Sequence, residues 1–143
     1  MSMKRFKFLL SNLRFDNPDD REERKKSDPA ALISEVMNLF IYNSQKAYTL
    51  GTCVCIDEML VGFRGKCRFK MYMPQKPVKY GLKVMCLTDA RNNYAYNAYL
   101  YCGKDSDGIS VEENWEKFSK PSQAVLRLSK PIFNTNRNVG FLP

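Results

Sequence analysis

The chain has 143 residues, a formal net charge of +8 and a hydrophobic content of 44%. The length indicates one domain with at most a small appendage, and the hydrophobic content excludes general disorder. The positive charge favours an anionic partner, nucleic acid before an acidic protein or a membrane surface, with plain solubility as the alternative.

Residue types that usually carry catalysis or bind structural metals are scarce. The chain has no histidine, which removes the usual general base of nucleophilic triads. Its five cysteines form no C-x-x-C pair, so a structural zinc site is not expected. The odd count predicts free thiols in a reducing compartment, with Cys53, Cys55 and Cys86 as small buried hydrophobic residues. No apolar run approaches the length of a membrane span.

Two helices are predicted in residues 1–51. The first follows Ser2, a good N-cap, and has an apolar face formed by Phe6, Leu9, Leu10 and Leu13. Residues 16–26 are interpreted as a solvated loop, because both signs of charge alternate there.

The second helix is predicted to begin at Asp28-Pro29, an N-cap followed by a proline that fits the first helical position, and to stop at Gly51. Its apolar stripe consists of Leu32, Ile33, Val36, Leu39 and Phe40. Such a stripe favours core packing, and a dimer interface is the alternative.

From residue 52 the hydrophobic period changes from helix to strand. Strands are predicted at residues 52–57, 82–89 and 94–101, with a hairpin turn at Asn92-Asn93. A polar loop at 103–108 precedes a short helix at 121–128, which begins near Ser119 and ends at Lys130-Pro131, and Arg137-Asn138-Val139 starts a further strand. The predicted class is α+β: two N-terminal helices, a three-stranded antiparallel meander and a short helix.

Asp57 is the candidate site residue, because it is a carboxylate in an apolar strand. Alternation places it on one face with Cys53 and Cys55, and places Glu58 on the other. Such a carboxylate needs an ionic partner or a metal. A salt bridge to Lys83 or Lys79 is favoured, and a metal ligand is the alternative. Two-metal phosphoryl transfer needs further converging carboxylates, and the later acids lie at a turn or in and beside the polar loop: Asp89, Asp105, Asp107, Glu112, Glu113 and Glu116.

A basic segment follows Asp57. Residues 59–88 contain seven cations and no Asp or Glu. This pattern predicts weak, sequence-independent and salt-dependent DNA binding through Arg64, Lys66, Arg68, Lys70, Lys76 and Lys79. Tyr72 and Phe69 are candidates for stacking on unpaired bases, although buried packing is the favoured role for both.

Two motifs carry a resemblance to a known family. Residues 56–65, Ile-Asp-Glu-Met-Leu-Val-Gly-Phe-Arg-Gly, resemble the first catalytic-strand signature of piggyBac transposases. Residues 71–81, Met-Tyr-Met-Pro-Gln-Lys-Pro-Val-Lys-Tyr-Gly, resemble the segment that follows it. Residues 6–15, 38–48 and 126–131 resemble neighbouring regions of the family in the same order.

The resemblance implies an RNase-H-like core for residues 52–143 and part of a dimerisation and DNA-binding region for residues 1–51. It also implies cut-and-paste DNA transposition, with several aspartates holding two Mg²⁺ ions in the intact family. Asp57 is similar to the first of these aspartates, and it is the one candidate catalytic and metal residue. The second is expected a few residues after Val139, where this chain has Gly140-Phe141-Leu142-Pro143.

The chain is therefore expected to be a truncated, domesticated or decayed transposase fragment in the nucleus. It is expected to associate with DNA and to be catalytically inactive, with no cofactor of its own and no membrane association. Its protein partner is expected to be a second copy or a full-length transposase. A non-enzymatic interaction module, pairing with an intact transposase or another nuclear protein, is the alternative, and a small metal-dependent nuclease is the least favoured hypothesis. Truncation after Val139 also predicts an open sheet edge along residues 53–56, low stability and self-association.

Overall fold

The computed structural model describes residues 1–104 and 115–141. These residues form the helices α1 (Met3–Ser11), α2 (Arg21–Ser27), α3 (Ser34–Ala47) and α4 (Lys120–Ser129). They also form the strands β1 (Cys53–Gly62), β2 (Met71–Tyr72), β3 (Tyr80–Asp89), β4 (Ala95–Leu100) and β5 (Asn138–Phe141). The predicted α+β class is confirmed, with one more N-terminal helix and two more strands than the predicted meander. Within the described ranges, no helix has the length and apolar content needed to cross a bilayer.

The predicted cap of α1 is confirmed, whereas the loop predicted at residues 16–26 is wrong from residue 21 onward, where the chain is helical. The Ser2 hydroxyl accepts a hydrogen bond from the Arg5 amide at 3.2 Å. Residues 21–27 form α2, because its alternating charges suit a helix: the acids lie in the first turn and the cations in the last. Arg24 also pairs with Asp20 one turn earlier at 2.9 Å.

The start predicted for α3 is wrong by about one and a half turns. Asp28 does not cap a helix that begins at Pro29. One of its carboxylate oxygens accepts from the Ala30 amide at 2.8 Å, and the other accepts from the Ser34 hydroxyl. These bonds hold residues 28–33 in turns, and α3 begins only at Ser34 and ends at Ala47, before Gly51.

The apolar stripe from Leu32 to Phe40 does not form core. All five of its side chains are exposed, with Leu39 the most open at 62%. The core interpretation is therefore wrong, because helical periodicity reveals an apolar face and not whether the same chain covers it. The dimer alternative and the division at residue 51 stay predictions.

The sheet is built around β3. One edge of β3 pairs antiparallel with β1, and its other edge pairs with β2 at its beginning and with β4 further along. The predicted antiparallel meander corresponds to β1, β3 and β4 and is confirmed. Asn93 in the turn between β3 and β4 has φ of 57°, as the hairpin signal predicts.

The free edge predicted along residues 53–56 is covered. β5 pairs parallel with β1, with Cys53 opposite Asn138 and Ile56 opposite Phe141. The Arg137 guanidinium donates to the Leu50 and Gly51 carbonyls at 3.1 and 2.9 Å, which fixes the approach of β5 to β1. The expectation of an open edge is therefore wrong, because four residues after Arg137 are enough to pair with this part of β1.

The core lies between one face of the sheet and α4. Its buried members are Leu50, Val54, Ile56, Leu87, Tyr99, Ala124, Leu128 and Ile132. The predicted α4 is confirmed, with Ser119 as its N-cap and a 3₁₀ turn over Lys130–Ile132 extending it past the predicted end. Because Val54 and Ile56 face this core, alternation leaves Asp57 on the opposite face.

Candidate nucleic-acid interface and the Asp57 strand

Asp57 lies in the middle of β1, opposite Cys86 of β3, and is half-buried. The predicted salt bridge to Lys83 or Lys79 is wrong. The Lys83 ammonium pairs instead with Glu58, on the face where α4 packs. Within residues 1–104 and 115–141, no hydrogen bond or ion pair reaches the Asp57 carboxylate.

The charge of Asp57 contributes to the electrostatic environment of its neighbour Cys86. Burial raises the pKa of the Cys86 thiol to about 11, and the Asp57 charge acts in the same direction. Cys86 is therefore a protonated, buried thiol at neutral pH, as predicted. Cys55 is only half-buried, and the prediction is wrong for Cys53, which is exposed.

The described residues do not fit a divalent-metal site around Asp57. No group of three potential ligands from His, Cys, Asp and Glu converges anywhere in the described ranges. Glu58 faces away and is paired with Lys83, and no residue of β5 is acidic. Asp105, Asp107, Glu112 and Glu113 lie outside the described residues, and Glu116 is exposed.

Asp89 is the buried carboxylate that sequence reasoning missed. Its side chain is completely buried, although the sequence placed it only at a turn. One oxygen accepts from the Gly51 amide at 2.8 Å and the Tyr48 hydroxyl at 3.2 Å, and the other accepts from the Arg91 amide at 2.9 Å. These bonds, the one from Gly51 foremost, lower the pKa of Asp89 below its ordinary value. Asp89 therefore ties the segment before β1 to the turn after β3, and its oxygens are not left for a metal.

We use the term basic surface for the six predicted DNA-binding cations, of which all but Lys76 line two depressions: Arg64, Lys66, Arg68, Lys70, Lys76 and Lys79. Four of them are exposed. Lys70 and Lys76 are half-buried and donate to the carbonyls of Gly65 and Glu58, at 3.2 and 3.3 Å. Arg64, Lys70 and Lys79 line one depression, and Lys66, Arg68 and Lys70 line a second. The fold thus gathers cations that are up to 15 positions apart into two adjoining depressions that share Lys70.

Two tyrosines lie beside these cations. Tyr72 of β2 is opposite Tyr80 of β3, with ring centroids 4.8 Å apart and planes inclined by 37°. The favoured prediction of buried packing is wrong for Tyr72, which is 54% exposed, while Phe69 is half-buried. Sequence reasoning overlooked Tyr80, which follows Tyr72 by eight positions, after a loop that contains Pro74 and Pro77.

Comparison with known proteins agrees with the motifs. A family model described as Transposase IS4 matches residues 1–142. The cryo-EM structure of the piggyBac transposase synaptic complex with hairpin DNA is similar, with a TM-score of 0.79 and 28% sequence identity. The match covers 99% of this chain and 33% of the other, so this chain spans about a third of the length of that transposase. The predicted resemblance and fold class are confirmed.

Proposed function

Because the chain belongs to the IS4 transposase family and is of the piggyBac type, we propose that it binds DNA in the nucleus, without sequence preference, through the basic surface. The observation that carries this proposal is the gathering of cations in two adjoining depressions, with no Asp or Glu between residues 59 and 88. Phosphate contacts of this kind are sequence-independent and driven by counterion release. The similar piggyBac transposase was solved with hairpin DNA, which supports the same class of partner.

Replacing Arg64, Arg68 and Lys79 with Ala is expected to weaken duplex binding and flatten its salt dependence. These three cations are exposed, unlike Lys70 and Lys76. Wild-type dissociation constants should be about 10⁻⁴–10⁻⁶ M at physiological salt, and the log–log salt slope should fall by about 0.9 per lost phosphate contact. Fluorescence anisotropy with a random-sequence duplex at several salt concentrations measures both quantities.

The matched control removes the same charge outside both the basic surface and residues 1–51, by replacing Arg91, Lys104 and Lys117 with Ala. All three side chains are exposed. The control should keep most of the wild-type slope. If both triple variants lost the same amount of duplex affinity, binding would be due to net charge and not to the basic surface. A wild-type complex whose affinity did not depend on salt would contradict the proposal.

We further propose that the chain does not cut DNA by itself. Mg²⁺ is implied for intact members of the family, but two-metal chemistry needs several carboxylates at one point. Asp57 has no converging acidic partner in the described ranges, which supports an inactive remnant.

Wild type and Asp57→Asn are therefore expected to leave supercoiled plasmid equally intact in Mg²⁺ or Mn²⁺. The variant should fold, because no partner of Asp57 within the described residues is lost. Gel electrophoresis separates supercoiled from nicked circles. Nicking by the wild type that disappears in Asp57→Asn would show that the chain completes a metal site.

A second function, pairing with an intact transposase or another nuclear protein, is favoured by the exposed apolar side chains of the N-terminal helices. No residue of α1 is buried, and Phe6, Phe8 and Leu10 are each about half exposed. This function would be favoured over DNA binding if the chain captured a full-length piggyBac-type transposase but did not retard DNA in a gel-shift assay at low salt.

A further inference from the structure

We propose that Tyr72 and Tyr80 form a stacking platform for unpaired nucleobases, so that the basic surface prefers single-stranded or locally opened DNA to intact duplex. This inference rests on the proposed DNA binding and specifies the form of DNA that is bound.

The exposure of the tyrosine pair is the first observation. Tyr72 is 54% and Tyr80 58% exposed, although the two rings contact each other. More than half of the surface of each tyrosine residue is therefore open to solvent within the described part of the chain. Aromatic rings left open in this way are the usual means by which proteins hold unpaired bases, because every base has a stacking face.

The charge around the pair is the second observation. Tyr80 lines the same depression as Arg64, Lys70 and Lys79, together with Phe63. Glu58, the acidic residue immediately before the basic segment 59–88, is already paired with Lys83. A strand whose phosphates contact these cations therefore brings its bases close to an aromatic surface. In a duplex the base faces are already stacked on each other, so the platform adds affinity only where bases are unpaired.

The backbone around the pair is already held by other bonds. The Met73 amide donates to the Lys79 carbonyl at 2.8 Å, and the Phe63 amide donates to the Tyr80 carbonyl at 3.3 Å. A cross-strand aromatic pair also stabilises a hairpin, so the test has to separate stacking on DNA from support of the fold.

The experiment compares a labelled oligo-dT with a duplex of the same length, using wild type, Tyr80→Leu, Tyr72→Leu and the conservative control Tyr80→Phe. Each Leu variant should weaken oligo-dT binding by roughly 5-fold to 150-fold, the range for loss of one base–aromatic stack. Tyr80→Phe keeps the ring and should bind like wild type. All the variants should bind duplex within about 2-fold of wild type, because phosphate contacts supply that affinity.

A measurement on the wild type keeps the test independent of variant folding. Oligonucleotides carrying 5-iodouracil crosslink to stacked aromatic residues on irradiation, and mass spectrometry should map the crosslinks to Tyr72 or Tyr80. Crosslinks only elsewhere, or Leu variants that lose duplex and oligo-dT binding equally, would overturn the platform and leave the proposed DNA binding intact. A wild type that binds neither DNA would overturn the proposed function, and the platform with it.

Discussion

Replacing Asp89 with Ala is expected to lower the melting temperature by on the order of 5–10 °C at neutral pH, because three donors lose their buried acceptor. The carboxylate is completely buried and accepts from the Gly51 amide, the Arg91 amide and the Tyr48 hydroxyl. Tyr48 in turn stacks on Tyr94, with centroids 4.3 Å apart, so the loss should loosen both the entry to β1 and the turn after β3. Thermal melting followed by circular dichroism measures the change.

The pH dependence of this stabilisation has a definite sign. Folding lowers the pKa of Asp89 from its ordinary value of 3.8, so the ionised carboxylate stabilises the fold fully above that value. The contribution is lost as the pH falls from 3.8 through the lower pKa of the folded state. Asp89→Asn carries no charge and should therefore have a lower melting temperature than wild type at neutral pH. The difference between the two melting temperatures should shrink in acid. Asp57→Asn is the matched control, and its melting temperature should stay close to that of wild type. If the melting temperature of Asp89→Asn differed from that of wild type by the same amount at every pH, the linkage would be contradicted.

Replacing Gly81 with Ala is expected to destabilise the protein by about 1–3 kcal/mol, the usual cost of forcing an atom into a filled space. Gly81 pairs with Gly62 at the end of β1, and a Cβ there would lie 2.3 Å from the Val61 carbonyl oxygen. That neighbour is backbone, so relief requires β1 and β3 to move apart. Urea denaturation should show a lower midpoint.

Gly140→Ala in β5 is the control for this substitution. Its Cβ would meet only the Val54 carbonyl oxygen, at 3.7 Å, which is ordinary contact. The urea midpoint of this variant should be close to that of wild type. A small increase in stability is expected, because alanine restricts the conformations of the unfolded chain. Equal midpoints for the two alanine variants would show that the approach of Gly81 to Val61 does not limit stability.

Local signals predicted the parts of the fold that local chemistry determines. Ser2 and Ser119 cap the helices they were expected to cap, and Asn93 takes the positive φ that its hairpin requires. The face of β1 that carries Asp57 also followed from alternation alone.

Features that depend on distant partners were missed. The acceptor role of Asp89 depends on Tyr48 and Gly51, which are 41 and 38 positions away in the chain. Lys83 forms its ion pair with Glu58 and not with Asp57, because the pleat of the sheet puts Lys83 and Glu58 on the same face. The cations of the basic surface were identified from composition, whereas Tyr80 became a candidate only when pairing placed it beside Tyr72.

The parallel pairing of β5 with β1 has a consequence for the order of folding. The Arg137–Gly51 hydrogen bond beside it spans 86 positions, whereas β3 and β4 are joined by a short turn. Closing so long a loop costs more entropy and is slower than closing a hairpin. During synthesis or refolding, the edge of β1 therefore stays uncovered until the last strand arrives. The native protein covers residues 53–56 of this edge, so aggregation through that part depends on how long partly folded chains persist and how concentrated they are.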